Sequence, residues 1–257
     1  MILTATLASF LAGQATSAGA LPVFFLKSLK ARTQNAFLGF AAGVMLAASF
    51  FSLIIPGLEA AGELHGGSKT VAALIIASAV LLGAGTLHLL NRLAPHEHFI
   101  SGPRSGAERS KLNRIWLFVI AITLHNFPEG LAVGVSFGSP DQTAGYATAF
   151  GIGLQNVPEG LAVALSLAAV GYSRLFSFLV AVLTGLIEPV GGFLGIGLIS
   201  LSSELLPWGL GFAGGAMIWV VSSEIIPETH RERQEGTATF ALMAGLVVMM
   251  SLDWIFG

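Results

Sequence analysis

Two segments of this chain share one pattern of potential metal ligands. His125-Asn-Phe-Pro-Glu129 and Gln155-Asn-Val-Pro-Glu159 each carry two side-chain donors four residues apart, a spacing that sets both on one face of a helix. Shifting the chain by 30 residues aligns Leu124 to Val133 with Leu154 to Val163, and eight of the ten positions are identical. Pro128 and Pro158 have no N–H, so the carbonyls of Leu124 and Leu154 lose their helical partners and both helices are expected to bend there. The side chains of Asn126 and Asn156 add neutral oxygens. Glu188 stands directly before Pro189 and the Gly191-Gly192 pair, again an acid beside an expected helix distortion. A further acid, Glu224, lies in another apolar run, and its type and position fit a place in a cation path as well as a structural role.

One imidazole, several carboxylates and several amides form a mixed nitrogen and oxygen set that suits Zn²⁺, Fe²⁺, Mn²⁺ or related divalent ions. The chain has no cysteine, which removes thiolate ligands and a Cu⁺ site. An acid at the centre of a membrane helix costs on the order of 2.5–3.5 kcal/mol on insertion scales, so several acids need compensation, and a bound dication supplies it. Three carboxylates at one locus exceed what one Zn²⁺ requires. Two neighbouring ions with bridging carboxylates would use them.

The elements that must hold these residues are membrane helices. Of 257 residues, 54% are hydrophobic and 10% charged, against about a quarter charged in soluble domains. Apolar runs of about 18 residues or more can span a bilayer, and eight occur, at roughly 2–26, 35–58, 70–91, 114–138, 143–169, 175–200, 206–227 and 238–256. The expected fold is all-α, a single transmembrane domain over 1–257. The first run has no basic residue before it and is long for a signal peptide, so it is read as a retained helix. Eleven of the twelve Lys and Arg residues fall in one alternate set of connections, and only Lys69 falls in the other. Positive charge marks the cytoplasmic side, which puts both termini outside. Residues 92–113, rich in Pro, Gly and Ser, read as a cytoplasmic loop. Because the two motifs occupy consecutive spans, they run in opposite directions and meet at similar depth, as in sites built where repeated, interrupted helices converge.

These motifs resemble the signature of the ZIP (Zrt/Irt-like protein) family, and most closely its bacterial, GufA-like branch. The His-Asn-x-Pro-Glu-Gly motif of the fourth span and the related motif of the fifth match residues 125–130 and 155–160. The resemblance implies a two-metal centre: His125, Glu129, Gln155 and Glu159 at one site, Asn126, Asn156 and Glu188 at the other, with Glu129 and Glu159 bridging. It also implies metal movement into the cytoplasm across the inner membrane, a homodimer, and an elevator-like motion of spans 1, 4, 5 and 6 against spans 2, 3, 7 and 8. Zn²⁺ is the expected substrate, with Fe²⁺, Mn²⁺ or Cd²⁺ as others. Many members have His where Gln155 stands.

Other readings are weaker. A membrane-embedded zinc hydrolase would call for several His ligands, whereas the spans offer one intramembrane His and no His-Glu-x-x-His. A metal-selective channel differs from a carrier only in kinetics. No Walker segment is present, and neither an organic cofactor, a nucleotide nor a nucleic acid is expected. His96 and His98 read as a solvated loop, His88 and His230 as interfacial residues, and His65 with Glu59 and Glu63 as an external loop. The Gly39/Gly43, Gly191/Gly195 and Gly211/Gly215 pairs read as helix-packing faces.

Overall fold

The computed structural model describes residues 1–26, 30–93, 106–139, 142–229 and 235–256, and every regular element among them is helical. α1 (Ile2–Ala20) ends in a 3₁₀ turn, Leu21–Phe24, that begins next to Pro22. α2 (Ala31–Ala47) runs through a π-helical stretch, Ala48–Ile54, into α3 (Ile55–Leu64). Then follow α4 (Lys69–Leu93), α5 (Gly106–Ser136) and α6 (Gln142–Ala169). α7 (Arg174–Gly185) and α8 (Glu188–Leu201) share one span. α9 (Leu205–Val220) passes through a second π-helical stretch, Val221–Ile225, into α10 (Ile226–Thr229), and α11 (Glu235–Phe256) closes the chain.

Seven stretches, Ile2–Phe24, Arg32–Leu64, Lys69–Leu90, Gln142–Ala169, Arg174–Leu201, Leu205–Ile225 and Gly236–Ile255, are long and apolar enough to cross a bilayer. α5, 31 residues long, is the eighth span. The chain is an all-α polytopic membrane protein. Large apolar side chains such as Leu3, Leu11, Leu74, Leu81, Leu183 and Phe240 face outward, as a surface facing lipid requires.

The spans match the apolar runs closely, with differences at the ends. Helix continues from 106 through 113, where turn composition suggested loop. Glu108, Arg109, Lys111 and Arg114 are polar but good helix formers, so they carry α5 past its apolar stretch. Residues 94–105, with His96 and His98, lie outside the described residues, as does His230. The second span also extends beyond its apolar run, to Leu64.

Two groups of helices pack together. α1, α5, α6 and the α7–α8 span form one; α2–α3, α4, α9–α10 and α11 form the other, and the two meet chiefly where α6 lies on α2 and α5 on α9. Small residues permit the close contacts. A Cβ built on Gly43 would lie 1.9 Å from the Leu242 carbonyl oxygen on α11, and one on Gly215 would lie 2.2 Å from that of Val80 on α4. These glycines form helix-packing faces, because no side chain fits between the backbones.

Candidate metal centre

Three helices of the first group deliver the seven expected donors. α5 carries His125, Asn126 and Glu129; α6 carries Gln155, Asn156 and Glu159; Glu188 is the first residue of α8. His125 is 2% exposed and the other six are 0% exposed. Pro128 and Pro158 both lie inside helices that stay continuous through the motif. The α7–α8 span does break, at Leu186 and Ile187, and Pro189 in the first turn of α8 suits a helix restart, since an N–H there would have no helical acceptor.

The glycine after each motif acid explains how the acids come to be buried. A Cβ on Gly130 would lie 2.0 Å from the Glu188 carbonyl oxygen, and one on Gly160 would lie 1.9 Å from that of Thr16. So α8 sits backbone to backbone on α5 beside Glu129, and α1 sits the same way on α6 beside Glu159. Any side chain at either position would hold the helices apart and admit lipid or water.

Five of the seven make side-chain polar contacts, in three separate groups. Gln155 Nε2 donates to Glu129 Oε1 at 2.5 Å, and His125 Nε2 lies 3.1 Å from Glu224 Oε2. In the third group, Asn156 Nδ2 donates to Glu188 Oε1 at 2.7 Å and to the Ala12 carbonyl at 2.9 Å, while Ser9 Oγ donates to the Glu188 carbonyl at 2.8 Å. These contacts use only part of the donor set. Among the described residues, twelve buried side-chain nitrogen and oxygen atoms have no hydrogen-bond partner, and nine belong to these seven residues. Seven of the nine are oxygens: Asn126 Oδ1, Glu129 Oε2, Gln155 Oε1, Asn156 Oδ1, both oxygens of Glu159 and Glu188 Oε2. An unpaired buried polar atom costs about 1–3 kcal/mol, and native interiors hold few of them.

A concentration of partnerless acceptors is what a cation path needs, since a dication satisfies several oxygens at once. Among the described residues, no group of three or more His, Asp or Glu side chains is already arranged to hold one ion. Closing a coordination shell here would require amide and carboxylate side chains to turn. Gln155 illustrates the point: it offers Glu129 its nitrogen, and a flip of its amide would present an oxygen instead.

Residues 94–253 match the family model described as ZIP zinc transporter. GufA of Myxococcus xanthus, named a zinc transporter, is 49% identical over 97% of this chain and 98% of its own length. The chain belongs to the ZIP zinc transporter family. Zinc transporter ZIPB of Bordetella bronchiseptica is 50% identical over 95% of this chain and 78% of its own. Human zinc transporter ZIP11 is 34% identical over 98% and 97%.

Two features of this ZIP chain were not resolved from its sequence. Glu224 is brought to His125 from the π-helical stretch of the other helix group. α1 walls the site through Ser9, Ala12, Gly13 and Thr16, positions i, i+3, i+4 and i+7 of one helical face. That stripe of small and hydroxyl residues was the available signal. It is inconspicuous because small residues recur all along α1.

Proposed function

We propose that this chain carries Zn²⁺ into the cytoplasm across the inner membrane, through a two-metal site formed by His125, Asn126, Glu129, Gln155, Asn156, Glu159 and Glu188. Membership of the ZIP family makes the chain a divalent-metal transporter and not an enzyme. The observation that supports the site is the cluster of seven buried, partnerless side-chain oxygens within these residues. Zinc as the preferred ion rests on the mixed nitrogen and oxygen donors and on the zinc transporters this chain is similar to.

Two separate acid–amide pairs support a reading with two ions. Glu129 and Gln155 pair near His125, and Asn156 pairs with Glu188. Glu159, with both oxygens unpaired, is free to bridge, and Glu129 Oε2 is free to join it.

An elevator motion accounts for the way the helices are divided. All seven donors sit on α5, α6 and α8, which pack together with α1. Sliding this group past α2–α3, α4, α9–α10 and α11 would move the whole donor set at once and leave its internal contacts intact. The basic residues on one alternate set of connections support external termini. Residues 1–257 then form a single transmembrane domain, paired with a second copy as a homodimer.

Uptake of radiolabelled Zn²⁺ into proteoliposomes tests the assignment. His125→Ala, Glu129→Ala and Glu159→Ala should each reduce uptake by at least tenfold while the protein stays folded. Wild-type uptake in all three would remove the site from the path.

A further inference from the structure

Helical Ser and Thr hydroxyls in this protein usually donate to their own helix. Thr6, Thr86, Thr123, Thr148, Ser177 and Ser200 all donate to the carbonyl four residues back, at 2.7–3.0 Å. Thr16 departs from this pattern. It is 0% exposed, yet its Oγ1 has no partner. The carbonyl four residues back is that of Ala12, and it accepts the Asn156 amide at 2.9 Å. With the helix N–H on its other lone pair, that oxygen is saturated.

The position of Thr16 gives its free hydroxyl a use. The Thr16 backbone lies against Gly160, the residue after Glu159, and its Cβ lies 3.1 Å from a Cβ built on Gly185, three residues before Glu188. Thr16 therefore packs against both α6 and the end of α7, one residue along α6 from Glu159 and three residues before Glu188, and both acids have an unpaired oxygen. The unpaired hydroxyl, like the unpaired carboxylate oxygens of Glu159 and Glu188, is buried and has lone pairs to offer a cation.

We propose that the Thr16 hydroxyl is a further oxygen ligand on the metal path, supplied by α1 at the end of the site formed by Asn156 and Glu188. This rests on the transport site proposed above. The hydroxyl adds a neutral donor where Glu159 and Glu188 supply charge, so it completes a coordination shell without increasing the repulsion between acids.

Thr16→Val keeps the side-chain shape and removes the oxygen; Thr16→Ser keeps the oxygen. In proteoliposome uptake, Thr16→Val should raise the KM for Zn²⁺ about tenfold, the size of a lost contact to a charged partner. It should also reduce the rise in Tm that Zn²⁺ produces, while the metal-free Tm is unchanged or higher because an unpaired hydroxyl has gone. Thr16→Ser should behave as wild type. A wild-type KM and zinc-induced Tm rise in Thr16→Val would overturn the proposal. So would equal defects in both variants, which would assign Thr16 to packing. Should Thr16→Val prove unstable, Thr16→Ala takes its place in the same comparison with Thr16→Ser. Normal uptake in Thr16→Val alongside lost uptake in Glu159→Ala removes only the hydroxyl, whereas normal uptake in both removes the site itself.

Discussion

Replacing Gly130 by alanine should uncouple α8 from the site. The added Cβ would lie 2.0 Å from the Glu188 carbonyl oxygen and 2.6 Å from its carbon, whereas ordinary contact begins near 3.4 Å. The neighbour is backbone, so no rotamer change relieves the clash, and the start of α8 must retreat by about 1.4 Å, the difference between 3.4 and 2.0 Å. Such a retreat would stretch the Asn156–Glu188 bond from 2.7 Å to roughly 4 Å, beyond hydrogen-bonding distance. The Ser9 contact to the same residue would lengthen too. Overpacking of this kind costs about 1–3 kcal/mol. Gly197→Ala is the control: it lies on the same α8, and a Cβ there meets nothing within 4 Å. We expect Gly130→Ala to lower the metal-free Tm and reduce zinc uptake at least tenfold, with a raised KM, while Gly197→Ala leaves uptake unchanged and the fold slightly more stable. A Gly130→Ala protein with wild-type Tm and KM would refute the argument that backbone contact with α8 sets the position of Glu188.

Three other variants test separate parts of the account. Glu224→Gln weakens the 3.1 Å contact to His125 from the opposite helix group; zinc affinity at equilibrium should change by less than about threefold, while the uptake rate falls several-fold, since 1 kcal/mol corresponds to roughly a factor of five. Asn156→Ala should lower zinc stoichiometry, measured by equilibrium dialysis, from two ions per chain to one, with uptake reduced but not abolished. The chain has no cysteine, so Gly151→Cys with Met249→Cys, which joins α6 to α11 where a Cβ on Gly151 would lie 2.2 Å from the Met249 sulfur, can be crosslinked cleanly. Oxidation should stop uptake and reduction should restore it if the two groups slide.

Much of the fold could be read from the sequence because lipid imposes one requirement along a whole span, apolarity over a sufficient length. The eight spans follow from that, and helix continues beyond the apolar runs only where propensity takes over, as at residues 106–113. The seven candidate residues stand out because two near-identical motifs and an acid before Pro189 are conspicuous in apolar surroundings, and the structure buries all seven. Contacts between distant segments were not visible. Ser9 reaches Glu188 across 179 positions and Glu224 reaches His125 across 99, and local periodicity does not specify which helix faces which. Glu224 is a case in point: its type suggested an acid of either role, and its place in the π-helical stretch after α9 brings it to His125. The π-helical stretches at Ala48–Ile54 and Val221–Ile225 likewise have no clear signature, because an extra residue in a turn depends on tertiary contacts.

Locating the metal itself is the most direct test of the central claim. In crystals of the protein grown with Zn²⁺, anomalous difference maps across the zinc edge should show density bridged by Glu129 and Glu159, with His125 on one side and Glu188 on the other. Zinc density confined to other residues, such as His65 or His88, with none between Glu129 and Glu159, would contradict it.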